Sequence, residues 1–519
     1  GRPTELDRDV AAEESTLTDP AGNDSIDQYD GGQLVETTDP SGNSAGLTYD
    51  ARRNPTSMTD SNGDTWTVKH DARGNIIRRV APEPFGYVET FTYDADNNKL
   101  SETNARGYVT NYEYDANGNL THVKRQDADG VDQNVTEYVR DSTTKQVEEI
   151  IDARGKSTFK AYDPTTHYLI CEATVSCDSG GPDGIEDART YEHDAVGRVD
   201  RIVDPVGHEG ANDPNDYDTL IDYDAAGHKT LTTDAYGEES ARGYDDDGRL
   251  EYTVDENGER TDFEYDANGR VTRELQPAIG TDPRLSIRSV YDKRGLLIRR
   301  IDQLGRITTF TYDSSGRRTS MVTPRGNTGS VDPDLYRTRY LYDANGQLTD
   351  TIDPLGNTTS TRYDALGRAT LRSNARFQDT RYRYDANGNV TAIVNNAGDM
   401  ATRAYDELDR LTEQGDFRGN ITELEYNKVG KISKERTPEL IAQTPDGATT
   451  YCYDDANRLS AVIGARAGDI SCGTGNSFQT DYEYDAAGRQ IEVRDPEGNE
   501  TLTAYDRVGR VESRTDAEG

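Results

Sequence analysis

Short runs of alternating apolar and polar residues recur along the chain, each six or so positions long and bounded by turn residues. Leu250, Tyr252 and Val254 alternate with Glu251 and Thr253, and Phe263 and Tyr265 alternate with Asp262 and Glu264. Such period-2 alternation predicts strands with one apolar and one charged face. Between the runs stand Asp343-Ala-Asn-Gly346, with Asp first and Gly fourth as a type I turn prefers, and Asp353-Pro-Leu-Gly356, with Pro fixing φ at the second position. Asp-Pro-x-Gly recurs at Asp19, Asp39, Asp204 and Asp495. The unit is therefore a hairpin with two tight turns, and no helix is expected anywhere.

The unit repeats. Tyr342, Tyr363, Tyr384, Tyr405 and Tyr426 keep a 21-residue step, as do Tyr223, Tyr244 and Tyr265, then Tyr291 and Tyr312, then Tyr484 and Tyr505. With stretched intervals and two His-Asp substitutes (His70, His193), about 21 copies fill the chain. Hairpins laid edge to edge predict a continuous antiparallel ribbon of about 40 strands. A sheet of that size cannot stay flat, because twist accumulates. An all-β array over residues 1–519, coiling into a spiral shell, tube or filament and holding no separate catalytic domain, is the expected fold. Gly1-Arg2 matches the Gly-Arg of a copy lacking its first half, so the chain reads as a window of a longer array.

Composition alone would mislead. With 32% hydrophobic residues, net charge −39 and mean hydropathy −0.92, the chain lies near the disordered class. A repeat array buries residues only against neighbouring copies and needs fewer of them. The 32 tyrosines then become the candidate core, above all Tyr114, Tyr223, Tyr244, Tyr265, Tyr291, Tyr312, Tyr342, Tyr363, Tyr384, Tyr405, Tyr484 and Tyr505. A pI near 4.5 argues against nucleic acid and anionic membrane surfaces as partners. No run reaches the ~20 apolar residues of a membrane helix.

The Tyr-Asp turn keeps its length, whereas insertions fall around the second turn, as at 207–223, 277–291, 324–342, 437–453 and 464–484. One edge of the ribbon should be uniform and the other decorated, and the decorated edge is the better place for a partner.

Tyr-Asp-Ala-Asn-Gly-Asn-Leu at Tyr114, Tyr-Asp-Ala-Asn-Gly-Arg-Val at Tyr265, Tyr-Asp-Ala-Leu-Gly-Arg-Ala at Tyr363 and Tyr-Asp-Ala-Ala-Gly-Arg-Gln at Tyr484 resemble the signature of the RHS/YD-repeat family across essentially the whole chain. The resemblance implies a β-ribbon spiralling into a hollow shell, which encloses a toxic C-terminal segment in polymorphic toxins and serves adhesion in surface proteins. The Asp-Pro-x-Gly-x-x-Asp-Gly-x-Asn-x-Tyr segment of toxin-type members does not occur here.

Candidate chemistry is sparse. The repeated Asp is read as a turn residue, not as an acid or base. Asp127, Asp129 and Asp132, the Asp60–Asp64 loop, and Asp178 with Asp183, Glu186 and Asp187 place oxygens close together, a weak calcium candidate set that lacks the EF-hand pattern. No other cofactor is expected. His70 and His193 replace the repeat tyrosine as packed rings, and His122, His167, His208 and His228 lack zinc-site spacing. Cys171 with Cys177 and Cys452 with Cys472 flank long second turns, so two local disulfides in an oxidising compartment are expected, although four cysteines permit three pairings. The leading expectation is a non-enzymatic extracellular or cell-surface scaffold that self-assembles. Alternatives are an adhesin binding glycans or a surface protein through the long turns, and a toxin shell whose payload lies beyond residue 519.

Overall fold

The computed structural model describes residues 4–127, 129–174, 177, 188–208, 214–278, 284–443, 447–465, 472 and 478–518. Within them 44 strands run from Glu5–Asp9 to Val511–Thr515, paired antiparallel as a hairpin ribbon. The protein is all-β. One short α-helix, Pro438–Gln443, corrects the expectation of no helix, and 3-10 turns occur at Pro205–His208, Pro214–Asp216, Pro324–Asn327 and Pro333–Tyr336. All five lie at second turns whose added residues must close on themselves.

The Tyr-Asp turn is built around its aspartate. Asp364 Oδ1 accepts the N–H groups of Leu366 and Arg368, both at 3.0 Å, and Oδ2 accepts Arg368 Nε at 2.8 Å. The Asp364 N–H donates to the Arg368 carbonyl, and the Gly367 N–H returns to the Asp364 carbonyl. Gly367 takes φ +75°, the left-handed conformation that closes a three-residue hairpin loop. Second turns use the same scheme, as Asp353 does with Leu355 and Asn357.

Every Tyr-Asp turn is followed by a bulge. Tyr342 stands opposite Leu348 while Leu341 stands opposite Asp350, so Thr349 is the extra residue. Its hydroxyl donates to the Leu341 carbonyl at 3.2 Å. Thr121, Thr272 and Thr370 do the same at their own bulges. A bulge breaks the ladder locally and bends the ribbon. The threonine hydroxyl satisfies a carbonyl beside the break.

Burial is graded rather than complete. In Arg337–Tyr342, Tyr340 and Tyr342 share the half-buried face while Arg339 and Leu341 are exposed. The twelve repeat tyrosines named above are all half-buried. Each strand touches mainly the strands before and after it, so a ring is covered only by adjacent side chains. Most of the buried apolar residues gather instead at the roots of the long second turns: Cys171, Ala173 and Ala188; Val203 and Val206; Val322; Cys452, Ala461 and Ile463. There the added residues fold back as a lid. At 324–336, Asn327 Nδ2 donates to the carbonyls of Ile307 and Val322, and a Cβ at Gly326 would stand 2.6 Å from Val322 Cγ1.

Contacts divide the chain into two compact units, each made of two segments. Unit 1 comprises residues 1–108 and 260–402, and unit 2 comprises 109–259 and 403–519.

Candidate functional site

The residues that do something beyond closing their own hairpin stand on the two edges of the ribbon. Along the Tyr-Asp edge, arginine links seven of the described repeats to the next. Arg368, anchored on Asp364, reaches the Asp385 carbonyl with Nη1 at 3.1 Å and lies 4.6 Å from the centre of the Tyr384 ring. The Tyr384 hydroxyl donates to the Ala369 carbonyl at 2.7 Å. The same arginine-over-tyrosine contact joins Arg198 to Tyr223, Arg270 to Tyr291, Arg317 to Tyr342, Arg410 to Tyr426, Arg458 to Tyr484 and Arg489 to Tyr505. Burial raises the Tyr384 pKa, keeping its hydroxyl a proton donor. The Gly-Arg step was visible in the sequence, but its partner 17 residues downstream was not.

The second-turn edge is a docking edge. In unit 1, Ser41 N–H donates to Ser315 Oγ (3.1 Å), Asn62 N–H to Asn345 Oδ1 (3.1 Å), and Arg106 N–H to Asn387 Oδ1 (3.2 Å). Arg368 also stacks 5.0 Å from the Phe85 ring. In unit 2, Arg154 donates to the carbonyls of Asp454 (3.0 Å) and Asp455 (3.2 Å), and Arg507 N–H donates to Tyr236 Oη (3.3 Å). In each case the earlier partner belongs to a second turn and the later one to a Tyr-Asp turn. The bonded partners lie between 271 and 301 residues apart, about 13 repeats. Within each unit, therefore, the Tyr-Asp edge of the later segment sits on the second-turn edge of the earlier one. Among the described residues, the second turns at Ser41, Asn62, Phe85, Arg106, Arg154 and Tyr236 thus meet the chain itself.

An open groove of about 550 Å³ lies on the second-turn edge in unit 1, lined by Arg372, Asn374, Gln378, Asp379, Tyr382 and Asn396 among others. Its side chains include amides, hydroxyls, one acid, one base and an aromatic ring.

The sequence-selected residues fall as follows. The sulphurs of Cys171 and Cys177 lie 2.10 Å apart and those of Cys452 and Cys472 2.07 Å apart, both at disulfide distance. Asp127 Oδ1 accepts the N–H groups of Asp129 and Val131, and Asp132 Oδ1 accepts Gln126 Nε2. Asp60 Oδ1 likewise accepts from Asn62 and Asp64. Asp178, Asp183, Glu186 and Asp187 lie outside the described residues. Among the described residues no group of three His, Cys, Asp or Glu is gathered to hold a metal. His193 packs against Tyr168 and His228 against Tyr244, with His228 Nδ1 2.9 Å from Asp224 Oδ2. His208 Nε2 is 3.1 Å from Thr190 Oγ1, and burial lowers its pKa. His122 lies between Glu113 and Glu137. His70 ends the strand Thr65–His70, and His167 occupies a turn at φ +63°.

Among the described residues no helix is long and apolar enough to cross a membrane. No curated protein matches the sequence. The RHS Repeat family model matches seven segments, 29–65, 93–132, 244–278, 291–328, 342–376, 384–421 and 484–519. Solved structures share the fold. The TcdB2–TccC3–Cdc42 crystal structure is similar at 15% identity and TM-score 0.51, over 98% of this chain and 32% of that one. The TcdB2–TccC3 crystal structure is similar at 14% identity and TM-score 0.52, over 95% and 32%. A Photorhabdus luminescens Tc holotoxin pore is similar at 15% identity and TM-score 0.50, over 95% and 31%. The chain spans about a third of the length of those solved chains. With seven matched segments set in a hairpin ribbon of the same fold, the chain belongs to the RHS-repeat family.

Proposed function

We propose that this chain is a stretch of structural wall, a non-enzymatic extracellular scaffold in which the hairpin ribbon winds on itself as the side of a shell. One observation carries the reading. Second turns and Tyr-Asp turns about 13 repeats apart are matched edge to edge in both units, so the ribbon is shaped to meet its own later course. Two cysteine pairs at disulfide distance support an oxidising compartment. The fold shared with Tc toxin components supports a shell, and enclosure of a segment carried by a longer chain is the finer form of the same reading. Single-particle reconstruction of the chain is the test. A low-density interior bounded by one sheet is expected, and a filled interior or a flat ribbon would sink the proposal.

A second reading, an adhesin for glycans, has the groove at Asn374 and Asn396 behind it, because amide and aromatic side chains suit sugar hydroxyls and ring faces. Glycan-array binding that disappears in Asn396→Ala would favour it. An array without hits, or hits that the variant retains, would leave the wall alone.

A further inference from the structure

Charge is spread unevenly along the chain. Residues 260–402 hold 21 Lys and Arg against 17 Asp and Glu, a net +4, although the whole chain carries −39. The excess base stands on one face of the ribbon. In unit 1 the strands from Ser286–Tyr291 to Asp379–Tyr384 pair consecutively. Their register puts Arg288, Arg299, Arg339, Arg362, Arg381 and Arg383 on the face opposite the tyrosines. All six are exposed. The same strands place two acids there, Asp350 and Asp379. Eight strand spacings of ~4.8 Å make a stripe about 40 Å long.

Surface charge alone is ordinary, but two features of the stripe point to a ligand. First, Arg288 stands directly opposite Arg273, and like charges so placed cost stability. Glu264 answers Arg273 at 2.9 Å, whereas Arg288, Arg299 and Arg383 form no ion pair among the described residues. Arg339, Arg362 and Arg381 lie 3.3, 3.7 and 2.7 Å from Asp334, Asp350 and Asp379, yet their side chains stay 48%, 56% and 57% exposed. Surface pairs of that kind contribute little and give way to a better partner. Second, Val290 and Leu341 are 41% and 49% exposed among these arginines. Val290 stands opposite Arg299, and Leu341 lies two residues beyond Arg339 on the same face.

We propose that this face is a docking surface for an acidic polypeptide segment, laid across the strands and carrying apolar side chains among its carboxylates. Charge complementarity identifies the occupant. Guanidinium groups take carboxylates through paired, parallel hydrogen bonds. Val290 and Leu341 call for apolar groups, which a phosphate or sulfate polymer does not offer. Length argues the same way. The rest of the chain holds 37 Lys and Arg against 80 Asp and Glu, so a long polyanion or an anionic bilayer reaching past the stripe is repelled. A segment of about 12 extended residues covers ~40 Å and stays within it. The surface is a face of the sheet and not an edge, so another course of ribbon docking edge to edge leaves it open. Neither the shell nor the adhesin reading is needed for it.

Fluorescence anisotropy of a labelled peptide of about 12 residues, built of Glu-Glu-Leu repeats and titrated with the intact chain at about 0.05 M and about 0.5 M NaCl, tests the proposal. Saturable binding that weakens at least tenfold at the higher salt is expected. Arg288→Glu combined with Arg383→Glu should weaken it at least tenfold at the lower salt with an unchanged circular-dichroism melting curve, because neither side chain has an ion pair to lose. Arg8→Glu combined with Arg514→Glu, the same charge change on exposed strands elsewhere, should alter it less than twofold. No binding with the chain at up to about 100 µM at the lower salt would overturn the proposal. So would equal losses in the two double variants, equal binding of a Ser-Ser-Leu peptide, or tighter binding of a single-stranded oligonucleotide of the same charge or of phosphatidylserine vesicles.

Discussion

At the scale of single residues, the turn aspartate combines one carboxylate oxygen that accepts two backbone N–H groups with a second oxygen that accepts from the side chain four residues on. An ionised carboxylate on a short side chain does both by accepting, whereas Asn374 and Asn395 take the two N–H groups on Oδ1 and donate from Nδ2 to the residue four on. The consequence is acid sensitivity. The Asn119 amide, with the Asn119 and Asn117 N–H groups, holds the Asp115 carboxyl down at about 2 against the upward pull of burial. At Asp71 burial again pulls upward and is outweighed by hydrogen bonds from Asn75 and Arg73, which bring it to about 2. A depressed folded pKa gives stability that is complete above the unfolded value near 4 and is lost as pH falls through about 2. Thermal midpoints should therefore drop steeply between about pH 4 and about pH 2, and Asp115→Asn should flatten part of that drop. Tyr451 has the opposite sign. Burial and the carboxylate of Glu435, which accepts its hydroxyl at 2.7 Å, push it up to about 12. Its contribution should persist to about pH 10 and disappear as pH rises through about 12.

At the scale of the hairpin, the bulge and the arginine link explain letters of the repeat that turn chemistry alone does not. Threonine follows the turn because its hydroxyl serves the carbonyl beside the bulge. Arginine follows the glycine because it spans three groups at once. Arg410 donates to Asp406 Oδ2 at 2.6 Å, reaches the Asn427 carbonyl at 3.2 Å and stacks 4.8 Å from the Tyr426 ring. Lysine keeps the charge but lacks the planar fork. Arg410→Lys should cost about 1–2 kcal/mol in denaturant unfolding, with faster amide exchange at 427–431 as the local signature. An unchanged stability and exchange rate would show that the stack is incidental. The alternation of apolar and polar positions was fully legible in the sequence. The bulge was not, because one skipped residue leaves no trace in a period-2 pattern that a turn has already interrupted.

At the scale of the whole molecule, the contacts that matter are those between segments. They consist of a few hydrogen bonds per repeat, and their strength lies in repetition. Arg154, with a side chain 18% exposed, is the best placed of them to be measured. It holds the Asp454 and Asp455 carbonyls, beside the Lys156–Asp455 ion pair at 2.8 Å. A double-mutant cycle between Arg154→Ala and Lys156→Ala should show both variants loosening the same turn, with coupling of about 1 kcal/mol. Additive effects would mean that the two contacts act independently. The excursions were visible by length alone. That 324–336 closes over Val322 with an asparagine at its centre depends on bonds to Ile307, which no local pattern announces.

The sequence by itself determined the unit. Period, turn residues and alternation are local properties, fixed within one hairpin, and they dictated an antiparallel ribbon of Tyr-Asp repeats and the family to which it belongs. It also brought out the cysteines that the fold places at disulfide distance. Only the tertiary structure decided which edge meets which. The partners of Ser41, Asn62 and Arg154 lie some 13 repeats away, and that offset depends on how much each bulge bends the ribbon, a small angle summed over many repeats. From that sum follow the contacts made by the second turns of the early segments.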